Sequence, residues 1–291
     1  MPELPPLHAD SLHDTLGLGA HINAGVNYLV ENNSTLFDTV GHGLEVFTGA
    51  IESALQALPF WLVIAFAAVV AWRRVSAGFA VLSVLALLLI VALGYWPQTM
   101  ATLGLTLAAT AISLLLGVPM GILAARHRRV HQVLRPLLDF MQTMPAFVYL
   151  IPAVMLFGLG RVPGVLATVV FAMPPAVRLT ALGILAVDRE QVEAGQAFGA
   201  SPFQLLYKVQ LPLALPAVMG GINQTIMMAL SMVIVTSMVG AGGLGGEVLS
   251  SIQQLDVGLG FESGLCVVLL AIVLDRITQS FGRPLRQAVP H

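Results

Sequence analysis

The residue types that carry chemistry are few in this chain, and their spacing excludes most reactions. Seven histidines and one cysteine are scattered without a His-Glu-x-x-His or Cys/His arrangement, so no metal site is expected. No Gly-x-Ser-x-Gly nucleophile elbow occurs. The run Gly240-Ala241-Gly242-Gly243-Leu244-Gly245-Gly246 suggests phosphate cradling but lacks the Gly-Lys-Ser/Thr of a P-loop, and it reads as a flexible external turn. No catalytic residue is assigned, and no cofactor is expected in this chain. The informative stretch is residues 193–212, EAGQAFGASPFQLLYKVQLP, the one polar interval in a very apolar second half. Its chemistry is docking. Asp188 is placed to cap a first short helix, with Glu190 and Glu193 in its first turns. Gly199 can take the positive φ that ends it. Ser201 caps a second helix, Pro202 suits its first position, and Gln204 completes a capping box. Phe203, Leu206 and Tyr207 fall at i, i+3 and i+4 and predict one apolar face. Pro212 and Pro216 mark the start of the next apolar run. An apolar knob on a polar loop fits a cleft in another protein.

Ionisable groups inside apolar runs are the next candidates. Arg178, Asp275 and Arg276 qualify, and each lies near a predicted span end, where snorkelling is cheap. No carboxylate falls at the middle of a span, which counts against proton or sodium coupling. Thr102, Thr106 and Thr110, and the run Asn223-Gln224-Thr225, could line a polar path or make interhelical hydrogen bonds. The basic cluster Arg126, His127, Arg128, Arg129, His131 and Arg135 could bind anionic lipid headgroups or simply set topology.

These residues must be positioned by membrane helices. Of the 291 residues, 57% are hydrophobic and 10% charged, against about 25% charged in soluble domains. The apolar runs are continuous rather than alternating, which predicts helices and not a barrel. The fold class is an all-α polytopic bundle in one domain. Spans are predicted at 57–72, 75–94, 99–124, 140–160, 163–187, 213–239 and 259–281. The first, at 16 residues, is short for a ~30 Å hydrocarbon core. Residues 1–57 contain seven acidic and no basic residues and no early apolar core, so a cleavable signal is not expected. Within them, 21–30 and 36–58 predict helices lying at a membrane face. The lone Cys266 excludes an intrachain disulfide.

Charge asymmetry orients the bundle. Arg73 and Arg74, the 126–135 cluster, the loop from Arg189 to Lys208, and Arg283 with Arg286 share one face. The acidic N-terminal segment and the loops near Trp96, Arg161 and 240–259 share the other, where Arg161 is the sole basic residue. The N-terminus is expected outside, and the polar interval at 193–212 and the C-terminus in the cytoplasm.

Glu193-Ala194-Gly195, Gly199 and Val209-Gln210-Leu211-Pro212 resemble the EAA loop of ABC-importer permeases. Gly195 stands for the family's second Ala and Val209 for its Ile. The resemblance implies a type I ABC-importer permease fold. Residues 1–56 would be an extracytoplasmic segment, 57–94 peripheral helices, 95–282 the core permease domain with its coupling loop at 188–213, and 283–291 a cytoplasmic tail. It also implies that Glu193, Ala194, Gly195, Gly199, Ala200, Ser201, Pro202, Phe203, Leu206, Tyr207, Leu211 and Pro212 meet a cytoplasmic ATPase. ATP and Mg would then be bound by that partner, present in two copies. Further segments are similar to the ProW-type permeases of glycine betaine/proline betaine importers: Leu134-Arg135-Pro136-Leu137-Leu138-Asp139, the run from Met141 to Leu150, Val154-Met155-Leu156-Phe157-Gly158, Phe198-Gly199-Ala200-Ser201-Pro202, Lys208-Val209-Gln210-Leu211-Pro212-Leu213 and Asn223-Gln224-Thr225.

The similarity covers about residues 75–283. It implies a permease dimer, expected to be a homodimer, in the bacterial inner membrane. A periplasmic or lipid-anchored binding protein would deliver a quaternary amine such as glycine betaine, choline, carnitine or proline betaine, or in some relatives an amino acid such as histidine or proline. An ion-coupled secondary transporter is the reading from another class, and nucleic acid is not an expected partner. Thr106, Phe147, Tyr149, Asn223, Gln224 and Thr225 are the candidates for the translocation path. For Phe147 and Tyr149, helix packing is an equal explanation. Cysteines introduced at positions 10 and 288, in a background lacking Cys266, are expected to label from opposite sides of sealed vesicles. Labelling of both from one side would exclude seven spans.

Overall fold

The computed structural model describes residues 31–282 together with His21, Ala24, Gly25 and Tyr28. The predicted tail with Arg283 and Arg286, and most of the predicted helix at 21–30, lie outside the described residues. Among the described residues every regular element is helical. Helix α1 is Ser34–Ala57, α2 is Phe60–Arg74 and α3 is Ala77–Ala92. Then come α4 (Trp96–Arg126), α5 (Arg128–Thr143), α6 (Ala146–Phe157) and α7 (Arg161–Leu185). The polar interval folds as α8 (Arg189–Ala197) and α9 (Pro202–Leu205). A π-helical turn, Leu206–Gln210, runs straight into α10 (Leu211–Thr236). After a 3-10 turn, Ser237–Val239, α11 (Leu244–Gln254) and α12 (Val257–Phe281) complete the described chain.

Each predicted span is helical, but their lengths differ. Four runs are long and apolar enough to cross a membrane alone: α4, α7, α9 through α10 with its 3-10 turn, and α12. Two bent pairs, α1 with α2 (95°) and α5 with α6 (98°), raise the total to six by length and composition. Helix α3, with 16 residues, is a shorter apolar helix. Both bends have one cause. Leu58 and Met144 each precede a proline, which forces the residue before it out of helical geometry, and their ψ values are 131° and 138°. The predicted span at 140–160 is therefore broken: residues 140–143 belong to the end of the amphipathic α5, and only α6 continues as an apolar helix.

Helix α7 is the hub, packed along both α4 and α10. Small residues permit the contact. A Cβ on Gly121 would lie 2.6 Å from the Val177 carbonyl oxygen, and one on Gly221 would lie 3.1 Å from that of Pro175. Helices α2, α3 and α12 form an outer layer whose Ile64, Leu87, Ile90, Cys266 and Leu270 pack with Leu230 of α10.

The bundle has two chemically different ends. At one, Arg74 lies over the Phe281 ring at 4.7 Å, and a Cβ on Gly282 would touch Met219, two turns from the start of α10. Arg126 and Arg189 line one groove at this end. Arg178 does not snorkel freely; it pairs with Asp139 of α5. At the other end α1 packs on α4. Its Glu52 is buried, with Oε1 accepting a hydrogen bond from Arg161 Nη2 (3.1 Å) and Oε2 in ion contact with Nη1 (2.9 Å). The glycine run at 240–246 is not a flexible turn. Ala241 and Leu244 are buried, and a Cβ on Gly243 or Gly245 would overlap Thr102 Oγ1 (2.5 Å) or Ser237 Oγ (2.3 Å). Glycine is required there for close approach as well as for positive φ.

Arg161→Met leaves the Glu52 carboxylate buried without its cation. It is expected to destabilise the protein by about 2 kcal/mol or more, read as a lowered melting temperature in detergent. The double variant Glu52→Met/Arg161→Met should lose less than Arg161→Met alone.

Candidate functional site

The candidate coupling segment, 188–212, is built from local signals. Helix α8 ends in a Schellman arrangement around Gly199, whose φ is +76°. The Gly199 N–H donates to the Gln196 carbonyl (2.8 Å) and the Ala200 N–H to that of Gly195 (3.1 Å). The capping box forms as predicted: Gln204 N–H donates to Ser201 Oγ (3.3 Å), and Ser201 N–H donates to Gln204 Oε1 (2.9 Å). Asp188 occupies the first cap position, but its carboxylate makes no cap bond. Its backbone carbonyl accepts instead from Gln191 and Val192.

Three features differ from the sequence expectation. The second short helix has no break before the span, because the wide π turn carries the chain past Pro212, which has no N–H to offer the helix. The expected face of Phe203, Leu206 and Tyr207 splits. Phe203 (62% exposed) and Tyr207 (56%) stack outward with ring centroids 4.6 Å apart. Leu206 (3%) turns into the bundle with Ile184, Ala214 and Val218. Gly195 also has a positive reason for its identity: a Cβ there would lie 2.8 Å from Leu205 Cδ1, so glycine lets α8 close onto the buried Leu205.

The outward surface thus carries an aromatic group. Phe198, at the end of α8, is 92% exposed and was not among the sequence candidates. The available signal was an aromatic residue beside the turn glycine in a polar interval. Ala194, Gly199, Ser201, Pro202 and Pro212 are exposed, while Ala200 and Leu211 are partly buried. Glu193 is exposed and lines a groove of about 500 Å³ with Arg126, Arg189, Gln196 and Gln210, between the segment and the ends of α4 and α7. This geometry can bind a protein surface through rings and a carboxylate beside guanidinium groups.

The path candidates are not brought together. Thr106 is fully buried and donates its hydroxyl to the Thr102 carbonyl one turn earlier (2.7 Å). Tyr149 donates to the Met141 carbonyl across the α5–α6 bend, and its ring meets Phe171 edge-on at 6.2 Å. Phe147 is exposed. Asn223 belongs to an interhelical polar cluster. Its amide donates to Asp275 Oδ1 (3.3 Å), its oxygen accepts from Thr278, and Gln279 also donates to Asp275 (2.7 Å). Thr225 is buried on α10, and Gln224 faces outward.

Residues 117–287 match the family model described as binding-protein-dependent transport system inner membrane component. The chain belongs to this family. This permease is 46% identical over 278 residues to the glycine betaine/proline betaine transport system permease protein ProW of Escherichia coli, covering 95% of this chain and 78% of that protein. It is also 46% identical over 259 residues to the glycine betaine transport system permease protein OpuAB of Bacillus subtilis, covering 89% and 92%. Its fold is similar to the inward-facing MetNI methionine ABC transporter, with TM-score 0.58 and 21% identity over 63% of this chain and 92% of that one. The permease is accordingly a multi-pass inner-membrane transport subunit with a type I importer fold.

Around Gly199 a Cβ would meet nothing within 4 Å, so substitution there acts through the backbone and the outward surface alone. Gly199→Val should strain the turn by about 1 kcal/mol or more, and Gly199→Asp by less. Both variants are expected to insert and fold yet lose binding-protein-stimulated ATPase activity and uptake by tenfold or more. Parental values for both would remove Gly199 from the coupling contact.

Proposed function

We propose that this permease is the translocating subunit of an ATP-driven importer for a quaternary amine osmolyte of the glycine betaine kind. The supporting observation is the outward aromatic pair Phe203 and Tyr207 on a segment continuous with α10, with the exposed Phe198 at the end of α8 ahead of it. A push on that surface acts on a span directly, without a flexible joint. Two copies of the permease, expected to be identical, would each receive one ATPase subunit on this surface. ATP and Mg belong to those subunits, where hydrolysis occurs. A binding protein delivers the substrate at the opposite end, with the N-terminus outside and the C-terminus in the cytoplasm. ATP-driven closure of the ATPase pair would shift the population of the helix bundles between inward- and outward-open arrangements. The names of the ProW and OpuAB relatives support the substrate class.

Reconstitution tests this reading. With an ATPase and binding protein, vesicles should accumulate glycine betaine or choline only when ATP is supplied. Accumulation of histidine or proline alone would move the substrate to amino acids. Uptake without any ATPase would indicate a secondary transporter, and uptake confined to sugars or metal ions would overturn the proposal.

A further inference from the structure

The glycine run lies at the end of α10 remote from the coupling segment, about 39 Å away along a helix of 26 residues. It is seated by one side chain from far away in sequence. The Leu244 N–H donates to Thr102 Oγ1 (2.8 Å), while that hydroxyl donates to the Gln98 carbonyl (2.9 Å). Thr102 is fully buried, so neither bond competes with water. Around this pair backbone and side-chain bonds tie the neighbouring segments together. Gly160 N–H donates to the Val239 carbonyl (2.9 Å), Ser237 Oγ donates to the Gly242 carbonyl (2.8 Å), and Gln98 Nε2 donates to Glu247 Oε1 (3.2 Å). A Cβ on Gly164 would lie 3.0 Å from that of Ala241. The seated Leu244 shares an apolar cluster with Cys266 of α12, and both are fully buried.

We infer that residues 240–246 form a latch sealing the end of the bundle opposite the coupling segment, that Thr102 is the positioning residue holding it, and that transport requires it both to open and to seat again. Elements this closely packed have discrete seated and unseated arrangements, not a continuous range. Valine at 102 keeps the shape of threonine but removes both the acceptor for Leu244 N–H and the donor to Gln98. Serine keeps both. The final clause rests on the importer reading; the latch itself rests on the geometry.

The native Cys266 reports the latch. In the full-length permease in phosphatidylcholine vesicles, without ATPase or substrate, N-ethylmaleimide should modify Cys266 slowly. Thr102→Val should raise the rate fivefold or more, and Thr102→Ser should stay within twofold of the parent. Neighbouring glycines give a second test. Gly245→Ala, whose Cβ would overlap Ser237 Oγ and the Ile234 carbonyl, should raise the rate, whereas Gly246→Ala, with nothing within 4 Å, should not. Parental rates for both Thr102→Val and Gly245→Ala would overturn the latch, as would an equal rise in Gly246→Ala. Should Thr102→Val fail to insert, the glycine pair decides. This labelling needs no transport, so its failure is distinct from failure of the importer reading. In the assembled transporter, Thr102→Val should cut uptake fivefold or more while ATP hydrolysis persists. Faster labelling with parental uptake would show that seating of the latch is no part of transport.

Discussion

Close approach of α4, α7 and α10 is the constraint on which the structure depends. In lipid no hydrophobic force drives one apolar helix onto another, so association rests on van der Waals contact and interhelical polar bonds. Gly117 and Gly121 on α4, Gly183 on α7 and Gly221 on α10 remove the side chains that would hold these backbones apart. Buried Ala172, Ala176 and Ala181 on α7 continue the same contact.

Polar groups fasten α1, α5 and α12 to that hub. Asp139 with Arg178 joins α5 to α7, and Asn223 with Asp275 and Thr278 joins α10 to α12. Glu52 with Arg161 joins α1 to α7. Each group is costly in an apolar solvent without its partner, so each pair specifies which helices are neighbours. Threonines at 99, 102, 106 and 168 satisfy their hydroxyls within their own helices, at the carbonyl four residues earlier, which frees the small side chain for packing.

The coupling segment was legible in detail because its signals are local. A turn glycine, a Ser-x-x-Gln box and a proline at the first helical position act over six residues or fewer, and the structure contains each of them. What the segment exposes was less legible. Helical spacing placed Leu206 with Phe203 and Tyr207, but the π turn changes the angle per residue and sends Leu206 inward. Phe198 lay outside that spacing and carries the most exposed ring of the three.

The sequence by itself determined the class and the apolar helices, because hydropathy acts on each segment independently. It also determined the two proline bends in principle, though a continuous span was expected across Pro145. Only the tertiary structure decided the partners of Arg161, Arg178 and Asp275, the burial of Thr106, and the seating of the glycine run against Thr102. Those depend on contacts between residues as much as 142 apart. A glycine that frees a turn and a glycine that admits a neighbouring backbone are the same letter, and only the neighbour distinguishes them.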